Sequence, residues 1–91
     1  MLIARRYRVT GRVQGVGFRF FTERAAVVEG LGGYVRNSGD GSVEALVEGD
    51  ADAVMRFEQA LRLGPPGARV DLVDVTEERP SGRSPLFVIR G

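Results

Sequence analysis

Residues 11–19 read Gly11-Arg12-Val13-Gln14-Gly15-Val16-Gly17-Phe18-Arg19, and they separate two stretches of different periodicity. Upstream, residues 2–12 alternate between apolar and polar side chains, which is typical of a β-strand with one face in water. Downstream, residues 18–30 carry apolar side chains three and four positions apart, which is typical of an amphipathic helix. Glycine tolerates positive φ at little cost. The stretch therefore predicts a strand, a glycine loop and the start of a helix.

A glycine loop that leads into a helix is suited to holding an anion. The first N–H groups of a helix have no partner within it, and its dipole attracts negative charge there by roughly 0.3–1 kcal/mol. Arg19 stands in the predicted first turn, where the same dipole disfavours a cation. Its position is better explained if it binds an anion. Judged by spacing alone, glycines needed only for the shape of a turn explain the loop equally well.

The rest of the chain divides into alternating periodic stretches and turn signals. The predicted elements are a strand at 33–37, a hairpin turn at 38–41, a strand at 43–47, a helix that begins after Asp50 or Asp52 and ends at 64–67, a strand at 69–77, a polar turn at 77–85, and a last short strand at Phe87 and Ile89.

Side-chain parity adds detail to three of these strands. Asn37 shares the parity of Val35, so we expect its amide to face the helices. Glu44 and Glu48 alternate with valine and alanine in the following strand, so we expect both carboxylates to face water. The apolar parity shifts within 69–77, which indicates either a bulge or a strand that is buried on both faces.

The order of elements predicts the fold class. Strand, helix, strand, strand, helix, strand, followed by an extra C-terminal strand, is the order of an α+β, ferredoxin-like split βαβ sandwich. We expect a mostly antiparallel sheet that two helices cover on one face. A length of 91 residues predicts a single domain, residues 1–91.

Composition excludes several classes of function. The chain has no cysteine and no histidine, which removes thiolate chemistry and the commonest metal ligand and general base. Its net charge is only +1, which argues against a general nucleic-acid or membrane binder. No apolar run approaches the length of a membrane span. We expect a cytoplasmic protein that binds neither nucleic acid nor a membrane.

Three known glycine motifs fail on inspection. The dinucleotide pattern G-x-G-x-x-G needs glycine where Phe20 stands, and the phosphate loop of ATPases needs a lysine, which this chain lacks. The RNA-recognition signature overlaps residues 15–21, but it belongs on the third strand of its fold rather than after the first.

The residues quoted above, with two later segments, resemble the acylphosphatase family. The matching segments are Gly11-x-Val13-Gln14-Gly15-Val16-x-Phe18-Arg19-x-x-Thr22, Gly30-Leu31-x-Gly33-Tyr34-Val35-x-Asn37-x-x-Asp40-Gly41-x-Val43 and Gly64-Pro65-Pro66-x-Ala68-x-Val70. Two positions depart from the family pattern: Tyr34 replaces a usual tryptophan and Glu29 an apolar helix residue. Both departures concern packing rather than the expected site.

The resemblance implies an enzyme that hydrolyses the carboxyl-phosphate bond of small acyl phosphates to a carboxylate and inorganic phosphate. It implies that Arg19 binds the phosphate and that Asn37 orients the attacking water. The N–H groups that assist Arg19 belong to the phosphate-binding loop Gln14, Gly15, Val16, Gly17, Phe18 and Arg19. We expect a monomer without a metal or cofactor.

Two other interpretations stay open. The first is a small-ligand or RNA-binding module on a ferredoxin-like fold, although the outer face of the first strand carries arginines and no aromatic side chain on which a base could stack. The second is a domain that serves carbamoyl-phosphate chemistry within a larger enzyme, and the length of 91 residues counts against it.

Overall fold

The computed structural model describes residues 1–82 and 85–91, and all the predicted strands and helices are present in the predicted order. Their bounds are β1 (Leu2–Arg12), α1 (Phe18–Val28), β2 (Gly32–Asn37), β3 (Val43–Asp50), α2 (Ala51–Leu63), β4 (Arg69–Glu78) and β5 (Phe87–Arg90). Helix α1 ends earlier than predicted and β3 extends further. The predicted polar turn at 77–85 starts later because β4 extends to Glu78, and its residues 83 and 84 lie outside the described residues.

The five strands form one sheet in the order β4-β1-β3-β2-β5. The pairs β1–β4, β1–β3 and β2–β3 are antiparallel, while the edge strand β5 runs parallel to β2. Helices α1 and α2 pack on the same face of this sheet and against each other. The predicted α+β, ferredoxin-like sandwich with an extra C-terminal strand is therefore confirmed. No helix in the described part of the chain is long and apolar enough to cross a membrane.

The core lies between the sheet and the two helices. Alternate residues of the central strands are fully buried there, and from the helices Phe18 and Phe57 are at most 1% exposed. The Phe57 ring lies 5.7 Å from the Tyr7 ring, in the tilted arrangement that aromatic pairs favour. Because Phe18 is the first residue of α1, its burial fixes the start of that helix, and with it the loop that precedes it.

A bulge between β1 and β4 explains the shift in parity within β4. Thr10 pairs with Leu72, whereas the next residue, Gly11, pairs with Val70, so β4 carries one extra residue, Asp71. Of the two predicted explanations, the bulge is confirmed and burial of both faces is wrong, since most of β4 is exposed.

Gly11 lies opposite this bulge and allows the two strands to come close together there. It has a φ of 130°, and a Cβ at this position would lie 2.1 Å from the carbonyl oxygen of Arg69. This glycine permits close approach of two strands. It lies in β1, within the predicted strand 2–12.

The expectation that Glu48 faces water is wrong. Glu48 does point to the face without helices, but it is 5% exposed because Ser81 and Gly82, which follow β4, lie over it. Its carboxylate accepts hydrogen bonds from the backbone N–H groups of Ser81 and Gly82, both at 2.8 Å. Such charge-assisted bonds offset the cost of burying a carboxylate. Glu44, on the same face, is only half-buried.

Candidate functional site

The loop between β1 and α1 takes its shape from Gly15 and Gly17. Their φ angles are 75° and 77°, in the left-handed region that favours glycine. A Cβ at either position would meet no protein atom within 4 Å, so backbone angle, and not crowding by the protein, explains these two glycines. Gly17 is also the N-cap of α1, and no side chain caps the helix there. The backbone of the loop is left open towards solvent.

The start of α1 presents several unpaired N–H groups. Within residues 1–82 and 85–91, the N–H groups of 15–20 donate to no other protein group, and the first helical bond runs from Phe21 N to Gly17 O at 3.1 Å. The first turn of α1 contains no acidic residue. These donors and the helix dipole make the local field favourable to an anion.

Arg19 lies in this first turn and is half-buried. Its Nη1 donates a hydrogen bond to the carbonyl oxygen of Arg90 in β5 at 3.4 Å. Among the described residues Arg19 forms no ion pair with a carboxylate, in contrast to Arg5 and Arg8. The hydrogen bond to β5 therefore holds the Arg19 guanidinium in place, while no described carboxylate neutralises its charge.

Asn37 is the last residue of β2 and faces the helices, as the parity predicted. It pairs with Val43, which in turn pairs with Val9, and both valines are fully buried on that side of the sheet. The Asn37 side chain is half-buried, and no hydrogen bond joins it to another described residue. Its amide can therefore both donate to and accept from a bound molecule.

The structure brings the loop, Arg19 and Asn37 together around one small cleft of about 100 Å³. Its lining residues are Val13, Gly15, Gly17, Phe18, Arg19, Phe20 and Asn37. Of the predicted site residues, Gln14 and Val16 belong to the loop but do not line the cleft. Phe20 lines it and was not predicted as a site residue, although its place next to Arg19 was a usable signal.

The Gln14 side chain has a role that sequence analysis missed. Its Nε2 donates to the carbonyl oxygens of Ser38 and Ser42, at 2.8 and 3.0 Å, in the turn between β2 and β3. The loop is thereby tied to the turn that directly follows Asn37. Every residue has a backbone carbonyl, so the sequence could not predict that Gln14 bridges the loop to this turn.

We expect Gln14→Ala to lower the free energy of unfolding by about 1 kcal/mol, because two hydrogen bonds are lost. Both carbonyls keep a backbone partner, since Ser38 O also accepts from Gly41 N and Ser42 O from Ser38 N. Urea unfolding measures this loss. The matched control is Gln59→Ala, since Gln59 is exposed on α2 and should tolerate alanine. Equal stability of the two variants would contradict the bridge.

Asp40 holds the same turn together. Its carboxylate accepts hydrogen bonds from the Ser42 hydroxyl at 2.6 Å and backbone N–H at 3.0 Å, and from Arg8 Nη2 at 2.6 Å. An aspartate that bonds to the backbone two residues later is a common turn signal. The bonds from Ser42, followed by those from Arg8, hold the pKa of the Asp40 carboxyl well below its ordinary value.

A group whose pKa is depressed in the folded state stabilises the fold above its unfolded pKa, and this stabilisation disappears as the pH falls through the folded pKa. We therefore expect wild-type protein to be more stable than Asp40→Asn by a constant margin above about pH 5, and this margin to shrink below about pH 4. Urea unfolding of both proteins, at pH values above about 5 and at several values below about 4, measures this difference in stability. A margin that persists undiminished in strong acid would contradict the role of Asp40.

A larger cavity, of about 370 Å³, lies on the opposite face of the sheet. Its three arginines are all paired with carboxylates: Arg6 with Glu44 and Glu78 at 3.8 and 3.6 Å, Arg8 with Asp74 and Asp40 at 3.9 and 2.6 Å, and Arg36 with Glu44. Tyr34 on this face is 9% exposed, and the Arg90 guanidinium lies 3.9 Å from its ring centre. Because its arginines are paired, this cavity is less suited to an anion than the cleft beside Arg19. Elsewhere on the same face, the covered Tyr34 ring is poorly placed to stack on a nucleic-acid base.

Comparison with known proteins gives a consistent result. The sequence model of the acylphosphatase family matches residues 5–89. An acylphosphatase from Koribacter versatilis is 49% identical over 96% of this chain and 79% of its own. The crystal structure of acylphosphatase from Bacillus subtilis covers both chains fully, with 42% identity and a TM-score of 0.93. HypF from T. kodakarensis is 38% identical over 98% of this chain, with a TM-score of 0.85, but the match is only 12% of its own length.

Proposed function

The chain belongs to the acylphosphatase family, and we propose that its cleft beside Arg19 is where the carboxyl-phosphate bond of an acyl phosphate is hydrolysed. In this proposal Arg19 and the backbone N–H groups of 14–19 bind the phosphate, and Asn37 orients the attacking water. The supporting observation is that a loop with unpaired N–H groups, an uncompensated guanidinium and an unbonded amide line one small cleft.

Phosphate binding rests on charge and geometry. Phosphoryl transfer passes through a loose transition state with negative charge on the equatorial oxygens, so catalysis needs mainly positioning and preorganised donors. A guanidinium can donate two parallel bonds to two phosphate oxygens. Arg19 has no carboxylate partner among the described residues to compete for those bonds.

Asn37 is suited to hold a water molecule because its side chain carries both a donor and an acceptor. The water oxygen forms a bond to phosphorus while the bond from phosphorus to the acyl oxygen breaks, and that electron pair leaves on the carboxylate. The proton of the water passes to solvent or to a phosphate oxygen. The conjugate acid of the leaving carboxylate has a pKa near 4, so no general acid is needed to protonate it.

We propose a small-molecule acyl phosphate as substrate, inorganic phosphate as product, and a monomeric, cytoplasmic protein that binds no nucleic acid. We also propose that residues 1–91 act as one domain, since the five described strands share one sheet.

Hydrolysis of acetyl phosphate in ¹⁸O-labelled water tests the reaction. The expected result is release of phosphate well above the protein-free rate, with the label in inorganic phosphate, because water attacks phosphorus. Label in acetate would instead mean attack at the carbonyl carbon and would contradict the role given to Asn37. Hydrolysis no faster than without protein would contradict the proposal as a whole.

A further inference from the structure

Phe20 is an exposed aromatic residue at the border of the cleft. It follows Arg19 in the first turn of α1, and its side chain is 67% exposed. Single exposed apolar residues are common on protein surfaces and by themselves indicate nothing. This one, however, lines the same cleft as Arg19 and Asn37.

Among the described residues that line the cleft, Phe20 alone offers an accessible apolar side chain. Val13 and Phe18 are each 1% exposed and face the core. The remaining lining residues are glycine or carry polar side chains. A substrate group that reaches the mouth of the cleft therefore has one apolar surface to contact, the ring of Phe20.

The direction of the leaving group points to the same residue. In an in-line displacement the leaving carboxylate lies opposite the attacking water. Asn37 belongs to the sheet, so under the proposed roles a water that it holds lies on the sheet side of the phosphate. The acyl group then lies on the side away from the sheet. The cleft is small, about 100 Å³, so a bulky acyl group is expected to extend to its mouth, where Phe20 is exposed.

We propose that Phe20 is a specificity-determining residue that packs against the acyl group of the substrate. The chain then prefers acyl phosphates with an aromatic or extended apolar acyl group over those with a small one. This preference rests on the proposed function, because it assumes that the phosphate lies against Arg19. It adds a substrate class to that function: aryl and long-chain carboxylic–phosphoric anhydrides.

The test compares kcat/KM for benzoyl phosphate and acetyl phosphate in four proteins: wild type, Phe20→Ala, Phe20→Leu and the control Val27→Ala. Val27 is a 61% exposed residue at the far end of the same helix, away from the cleft. The measured quantity is the ratio of the two kcat/KM values. Comparing this ratio between variants cancels the different intrinsic reactivities of the two substrates.

We expect Phe20→Ala to reduce the benzoyl-to-acetyl ratio by about tenfold, as the loss of one aromatic contact implies. Phe20→Leu should reduce it less, because leucine keeps apolar bulk, and Val27→Ala should leave it at the wild-type value. Ratios that are equal in wild type, Phe20→Ala and Phe20→Leu, with both substrates still hydrolysed, would overturn this inference and leave the proposed function standing. Hydrolysis of neither substrate by wild type would overturn both.

Discussion

Arg19→Ala is expected to lower kcat/KM for acetyl phosphate by roughly 10³-fold or more, the size of effect seen when an arginine that stabilises phosphoryl transfer is removed. The loss should include weaker inhibition by inorganic phosphate, because the same guanidinium binds the product. Stability should change little, since the one hydrogen bond that Arg19 makes within the described chain, to Arg90 O, is 3.4 Å long. Steady-state kinetics with phosphate as inhibitor measures both effects.

Two further variants make this experiment specific. Arg24→Ala removes an exposed arginine from the same helix without touching the cleft and should retain wild-type kinetics. Arg19→Lys keeps the charge but loses the planar pair of donors, and should recover only part of the lost activity. If Arg24→Ala lost as much activity as Arg19→Ala, the effect would reflect the net charge of the helix, and the assignment of Arg19 as phosphate ligand would be wrong.

Asn37→Ala is expected to lower kcat by roughly 100-fold, because the attacking water loses the group that positions it. Inhibition by inorganic phosphate should stay within roughly threefold of wild type, since the ligands of the phosphate are intact. The neighbouring Ser38→Ala serves as the control. Its backbone carbonyl, and not its side chain, accepts the bond from Gln14, so the bridge is preserved.

Comparison of Arg19→Ala with Asn37→Ala distinguishes phosphate binding from positioning of the attacking water. If phosphate inhibition disappeared in Asn37→Ala while kcat was unchanged, Asn37 would be a phosphate ligand and the two roles would be misassigned. A fall in kcat without a change in phosphate inhibition in Arg19→Ala would point to the same exchange of roles.

Local periodicity predicted most of the fold. Strand β1, the hairpin between β2 and β3 and both helices follow from the spacing of apolar residues and from turn residues such as Gly41. Parity placed Asn37 on the helix face because side chains alternate strictly along a strand. The irregular parity of β4 predicted either a bulge or burial of both faces. The structure shows the bulge, and Gly11 provides the close approach opposite it.

Features that depend on distant parts of the chain could not be predicted. The alternation in β3 predicts that Glu48 faces water, but Ser81 and Gly82, 33 and 34 residues later, lie over its carboxylate and bury it. The bridge from Gln14 ends on backbone carbonyls, which any residue supplies. The support that Arg19 receives from β5 depends on the parallel pairing of that strand beside β2, which the order of elements alone did not specify.

The most direct measurement is a crystal structure of the protein with inorganic phosphate bound at millimolar concentration. We expect the anion in the cleft, with its oxygens within hydrogen-bond distance of the Arg19 guanidinium and of backbone N–H groups in the loop 14–19, and with the Asn37 amide beside it. A phosphate bound instead among Arg6 and Arg8 on the opposite face of the sheet, with none in the cleft, would contradict the assignment of this site.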